Sequence, residues 1–306
     1  MTAIRSMAAA TALLLAALAA AGCGLGPGAD VGTVQLTVTR EYGAVPVLRR
    51  SVAAKESDTV MRALEANAEI ATRFGGGFVH SIDGVAEGQR GGDPYDWFFY
   101  VDGVESPVGA AEVGLRGGER IWWDYRNWSA TNHVPAVVGT WPAPFTDGVE
   151  GKEHSVVVEC REGGDACGTV RAALEDEGVE LASGSPKDAI RVLVGPWQEL
   201  RDDPAAGLIE EGPAESGVFA YFEATGDGYE VVALDEGGGR ARRLGTGAGL
   251  VAATSRYGGA PVWIVSGGTA AAVRAAAGSL DAAHLRDHYA VAIEDGKVTP
   301  LPLEGR

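Results

Sequence analysis

Few side chains in this sequence have the type and spacing to do chemistry. His284 and His288 stand four apart on an expected helix, a spacing that can bind a metal. The sequence around them lacks the glutamate that a zinc protease carries, so they read as surface histidines. His133 lies in the polar stretch Ser129-Ala130-Thr131-Asn132-His133, with no acidic residue nearby in sequence to orient it. Ser266 has no glycine-flanked elbow of the hydrolase kind. Gly237-Gly238-Gly239 and Gly245-Thr246-Gly247-Ala248-Gly249 lack the Gly-Lys-Ser/Thr ending of a phosphate loop and read as turns. No acid, base and nucleophile converge, which disfavours an enzyme and leaves catalytic and metal sites unassigned.

Cysteine chemistry is more informative. The chain has three cysteines, Cys23, Cys160 and Cys167. Cys160 and Cys167 are close enough for a small disulfide loop if the protein leaves the cytosol. Two metal ligands are the alternative, but no second Cys or His pair lies at zinc spacing. The amino terminus argues for export. Arg5 precedes an Ala- and Leu-rich run from Ala8 to Ala21, too short to span a membrane comfortably and right for a secretory signal. It ends in Ala20-Ala21-Gly22-Cys23, which resembles the bacterial lipobox, with Ala20 where leucine is usual. The expectation is a signal peptide over 1–22, lipid on Cys23, a tether over 23–30, and a protein at the extracytoplasmic face of the cell membrane.

The elements behind these residues fall into two groups. A length of 306 residues predicts about two domains. With 46% hydrophobic and 22% charged residues, the chain can bury a real core. A formal net charge of −17 argues against nucleic acid as a partner, because phosphates would be repelled. The first domain, 31–146, is organised around two aromatic strands. Trp97, Phe99 and Val101 point to one face of the first, and Phe98 and Tyr100 to the other. Ile121, Trp123 and Tyr125 oppose Trp122 and Asp124 in the second. Before them come a strand at 34–39, a return strand at 45–48 and a helix capped by Ser57 or Asp58 and running through Asn67. Pro46 places the return strand near an edge. The turn-rich segment Trp141 to Gly148 is the domain boundary, with two aromatics able to pack on a domain. In 147–306 strands and helices alternate, which predicts a separate α/β domain of open role.

Several features recur together: Asp58-Thr59-Val60 with Leu64; Phe74-Gly75 and Phe78-Val79 before Ile82-Asp83-Gly84; Trp97 to Gly103; and Gly117-Gly118-Glu119 leading into Ile121 to Tyr125. In these, residues 31–128 resemble the carboxy-terminal domain family of transcobalamin and intrinsic factor. Asp102 and Glu119 stand where relatives commonly carry Asn and Asp. The resemblance implies a β-grasp-like fold, so the chain as a whole is expected to be α+β. In the vitamin carriers this domain closes one side of a corrinoid, and a helical barrel holds the other. Nothing in this chain shows such a barrel, so the resemblance implies half of a site. The expected function is a lipid-anchored ligand-binding protein that captures cobalamin, another corrinoid or a similar flat ligand. A helical-barrel partner would complete the site, and transporter subunits would follow it. No resident cofactor is expected. Candidate contacts are Phe78, Trp97, Tyr100, Trp122, Tyr125 and Trp128, with Gly76 and Gly77 permitting close approach. The alternative is a structural or adhesive envelope protein using the same domain for protein contact.

Overall fold

The computed structural model describes residues 28–161, 164–184, 186–226, 228–256 and 258–305. The expected signal peptide and Cys23 lie outside the described residues. No helix among those described is long and apolar enough to cross a membrane.

In the first lobe, β1 (Asp30–Arg40) and β2 (Val45–Lys55) form an antiparallel hairpin. Val34, Leu36 and Val38 fill the core from one face of β1. Pro46 sits in the edge strand, where its missing donor costs no ladder bond. The turn places Glu41, Tyr42 and Gly43 at positive φ. Gly43 has a further reason: a Cβ there would fall 1.7 Å from the backbone oxygen of Asp287, in the second lobe.

Helix α1 (Val60–Glu65) follows, shorter than expected. Its cap is Thr59, whose hydroxyl accepts from Arg62 N at 3.3 Å. Asp58 instead closes the preceding turn, accepting from Lys55 N at 2.9 Å. A small sheet of β3 (Ile70–Arg73), β4 (Phe78–Ile82) and β5 (Val85–Ala86) precedes β6 (Gly88–Arg90), β7 (Asp93–Val101), β8 (Val104–Glu105) and β9 (Arg120–Asn127). The main sheet runs β2-β1-β9-β7-β6, with β8 on β7. β1 and β9 are parallel, and β7 and β9 antiparallel. A hairpin, one helix and a last strand returning parallel to the first make a β-grasp arrangement.

The second lobe holds a six-stranded mixed sheet and a separate three-stranded antiparallel meander. It contains β10 (Val156–Cys160), helix α2 (Asp165–Asp176), β11 (Ile190–Pro196), the meander β12 (Ala220–Thr225), β13 (Gly228–Leu234) and β14 (Arg240–Arg243), then β15 (Gly249–Thr254), β16 (Val262–Gly267), helix α3 (Ala270–Ala277), β17 (Ala290–Glu294) and β18 (Lys297–Leu301). The six-stranded order is β10-β11-β16-β15-β17-β18, with β10, β11 and β16 parallel and the others antiparallel. Side-chain alternation divides its two faces. Trp263 and Val265 meet Val170, Leu174, Val273 and Ala276 of α2 and α3. Val262 and Ile264 turn the other way, toward Phe219, Phe222 and Val231.

The chain is α+β, but the second lobe does not stand apart from the first. Tyr42, Tyr100 and Trp122 belong to the same apolar cluster as Phe219, Ile264 and Tyr289. The boundary segment packs on the second lobe, as its two aromatics allow. Trp141 and Phe145 are buried, and the Phe145 ring lies 4.9 Å from that of Trp263.

Candidate ligand-binding site

The alternation read from the two aromatic strands places every ring, but not at a surface. Trp97 and Tyr125 lie in the first lobe's own core. Trp97 Nε1 donates to Val85 O at 2.8 Å, and the Tyr125 hydroxyl donates to Ala86 O at 2.9 Å, so both rings are tied to β5. Tyr100 and Trp122 face the opposite way, and Tyr289 of the second lobe covers them. Its ring meets theirs edge-on, with centroids 5.6 and 5.3 Å apart. All four of these expected ligand contacts are buried with the two lobes in contact. An aromatic face of this size left in water would be costly, and the chain closes it with its own second half. Trp128, at the end of β9, stays 38% exposed. Gly76, Gly77 and Phe78 lie at the exposed turn between β3 and β4. Cys160 and Cys167 are joined as a disulfide that fastens β10 to α2.

A buried polar network accompanies the closed face. Asp124 Oδ1 accepts from the Thr39 hydroxyl at 2.5 Å and Gly43 N at 3.1 Å. Its Oδ2 accepts from Tyr42 N at 3.0 Å and the Tyr289 hydroxyl at 3.1 Å. Burial pushes the carboxyl above the usual range, and the bonds from Thr39, Gly43 and Tyr289 oppose that rise. Arg126, two residues on and also buried, lies 3.7 Å over the Phe98 ring and donates to Thr131 O at 2.9 Å. It is held by a π face and a carbonyl rather than by a carboxylate.

The space that could take a ligand opens elsewhere on the first lobe. β7 turns into β8 through Asp102-Gly103, whose φ values of 50° and 80° are those of a tight hairpin turn. The chain from Ser106 to Arg116 then folds back over the start of α1. Met61 N donates to Ala110 O, Val60 N to Val113 O, and Leu115 N to Asp58 O. Between loop and sheet lies a cavity of about 470 Å³. Val101, Val104, Pro107, Val113 and Leu115 supply its apolar wall, and Glu56, Glu105, Glu112, Glu119 and Glu150 its carboxylates. Arg116 is the one cation in the lining.

Three acids near this cavity are shaped by their surroundings. Glu119 is buried and accepts from Arg116 N at 2.8 Å; burial raises its pKa against that bond. Asp102 accepts from Arg120 N at 2.8 Å and is pushed up to about 7, chiefly by burial, with Asp147 and Glu119 adding to the rise. Glu105 Oε2 accepts from Val134 N at 2.6 Å and lies 2.8 Å from His133 Nδ1. The orienter that His133 lacked in sequence is thus Glu105, 28 residues earlier and brought close by β8. This hydrogen bond raises the His133 pKa, and partial burial opposes it. His288 is half-buried: its Nδ1 is shut off from solvent, and burial lowers the ring's pKa, with the neighbouring Asp287 opposing that fall.

An aromatic tip stands beside the cavity. Phe74, at φ 52°, is 87% exposed, and its ring meets that of Phe78 at 6.1 Å. Gly109 lies so near this turn that a Cβ there would be 3.1 Å from Gly77 O, which places exposed Val108 alongside. The loop from 106 to 116 has no hydrophobic period, so sequence reasoning passed over the cavity. The one available signal was the recurrence of glutamates on either side of the two aromatic strands. Among the described residues no group of three or more His, Cys, Asp or Glu is arranged to hold a metal. The arrangement suits binding: apolar walls for contact area, and carboxylates that favour a cationic group.

Residues 57–127 match a family described as a domain of unknown function (DUF4430), a transcobalamin-like family. The match takes in α1, both aromatic strands and most of the cavity wall. A solved structure described as a "putative metal binding protein" from Ruminococcus gnavus is similar at 10% identity, over 31% of this chain and 97% of that one, with a TM-score of 0.24. No curated protein matches the chain.

Proposed function

We propose that this protein is an exported lipoprotein, held by lipid on Cys23 at the extracytoplasmic face of the cell membrane, that binds a small amphipathic ligand in the cavity between β7, β8 and the loop at 106–116. The carrying observation is that cavity, apolar on its walls and ringed by five glutamates, three of them (Glu105, Glu112 and Glu119) within the family-matched segment. Five carboxylates against one guanidinium favour a ligand with a positive group near its apolar part. The second lobe occupies the aromatic face that a helical-barrel partner would have completed, so the cavity serves without one. Transporter subunits remain the class of partner for a captured ligand. A corrinoid would have to rest on Phe74, Phe78 and the cavity rim, since Tyr100 and Trp122 are closed to it.

Calorimetric titration of the full-length protein tests this with benzyltrimethylammonium as the cationic probe and cobinamide as the corrinoid. The reading expects saturable binding of the ammonium, weakened by the double substitution E112Q/E150Q at the exposed rim. If neither compound binds, the assignment of this cavity as a ligand site is wrong.

Exposed Phe74 supports a second reading, that of an adhesive envelope protein with an aromatic knob for another protein. F74S would then abolish recovery of a partner crosslinked at the cell surface while leaving ammonium binding intact.

A further inference from the structure

A second cleft, of about 290 Å³, lies at the seam between the lobes. Its chemistry is opposite to that of the glutamate-lined cavity. Arg49 on β2, Arg120 on β9 and Arg286 in the second lobe line it, with Asp287 the one acid among the lining residues. In a chain of net charge −17, three guanidiniums around one small cleft are a strong local departure.

The cleft is built rather than left over. Arg120 Nη1 donates to Thr140 O at 2.6 Å and also to Trp141 O, so carbonyls fix the position of its guanidinium. Neither of these acceptors neutralises its charge. Arg49 forms an ion pair with Asp287 across the seam. The neighbouring Arg286 makes no ion pair or side-chain hydrogen bond among the described residues. Thr37 adds a hydroxyl from the outward face of β1. Asp287 N donates to Gly139 O at 3.1 Å, which brings the segment carrying Arg286 against the first lobe. Gly139 permits this approach, because a Cβ there would come within 2.7 Å of His288 N.

We propose that this seam cleft binds an oxyanion, the carboxylate or phosphate group of a small molecule. One held guanidinium from the first lobe and one unpaired guanidinium from the second converge on it, and each can offer paired N–H donors to an oxyanion. The bound anion touches both lobes and so adds to the contact between them. The site is independent of the glutamate-lined cavity and would survive the failure of that reading.

Trp122 and Trp141 line the cleft, so intrinsic fluorescence reports on it. The full-length protein is titrated with inorganic phosphate and with succinate at constant ionic strength set with chloride. Saturable binding of either supports the site, and which of the two binds more tightly identifies phosphate or carboxylate as the group recognised. R286S, at an exposed residue, is expected to fold normally and to weaken binding about tenfold, the order of one lost charged contact. R49S/R286S is expected to lose binding. The proposal is overturned if neither anion gives a saturable signal, or if R286S binds as tightly as the natural protein.

Discussion

The Tyr289 hydroxyl donates to Asp124 Oδ2 at 3.1 Å, from one lobe to the other, in a place without water access. Asp124 is the centre of a set of donors, and Tyr289 is the only one of them from the second lobe. The lobes are therefore joined by a directional bond inside an apolar contact. Y289F should cost about 1 kcal/mol, the usual net value of one hydrogen bond. D124A leaves several buried donors unpaired and should cost on the order of 3 kcal/mol or more. The double variant should cost less than the sum, because the two act through one bond. Urea unfolding of the three variants measures this.

The shared core predicts that the first lobe fails alone. Residues 28–128 expressed without the rest would expose Tyr42, Tyr100 and Trp122 together. Such a fragment should aggregate or bind the dye ANS strongly, whereas the full-length protein should bind little of it. A monomeric, dye-silent fragment would show that the lobes are independent after all.

Asp102 makes stability depend on pH in a stated direction. Its folded-state pKa is raised from the ordinary 3.8 to about 7. Between those values the folded protein holds a proton that the unfolded chain has released, so stability falls as pH rises through that window and levels off above it. Asparagine in its place keeps an oxygen for Arg120 N and suits the left-handed turn position. D102N should therefore melt at a higher temperature than the natural protein at pH 8, by on the order of 1 kcal/mol in stability, and the gain should vanish near pH 4. Glu119 shifts in the same direction, so the variant should keep part of the slope.

The strand alternation was legible because it depends only on the pleat: Trp97 against Phe98, and Ile121 against Trp122, fall on the faces their positions require. The hairpin and the edge position of Pro46 were legible for similarly local reasons. What covers a face was not. Whether Trp122 meets a ligand or Tyr289 depends on a contact 167 positions along the chain, and no period or propensity encodes it. The pairing of Glu105 with His133 was hidden for the same reason. The cap of α1 was misplaced by one or two residues because Ser57, Asp58 and Thr59 are all capable caps. Only the turn closed by Asp58 on Lys55 N selects Thr59.

His133 offers a local check on the acidic rim. Its hydrogen bond to Glu105 should raise its midpoint above the ordinary 6.5 in an NMR titration. E105Q should return the midpoint toward that value. Most of the ring is in water, so the change in stability should be small even where the change in midpoint is clear.

The central claim is that the second lobe, and not a ligand, closes the aromatic face of the first. Acrylamide quenching of tryptophan fluorescence in the full-length protein tests it directly. Of the seven tryptophans only Trp128 is substantially exposed. The account predicts weak overall quenching that W128F nearly removes. Strong quenching that persists in W128F would mean that Trp122 and its neighbours are open to solvent, and would contradict the account.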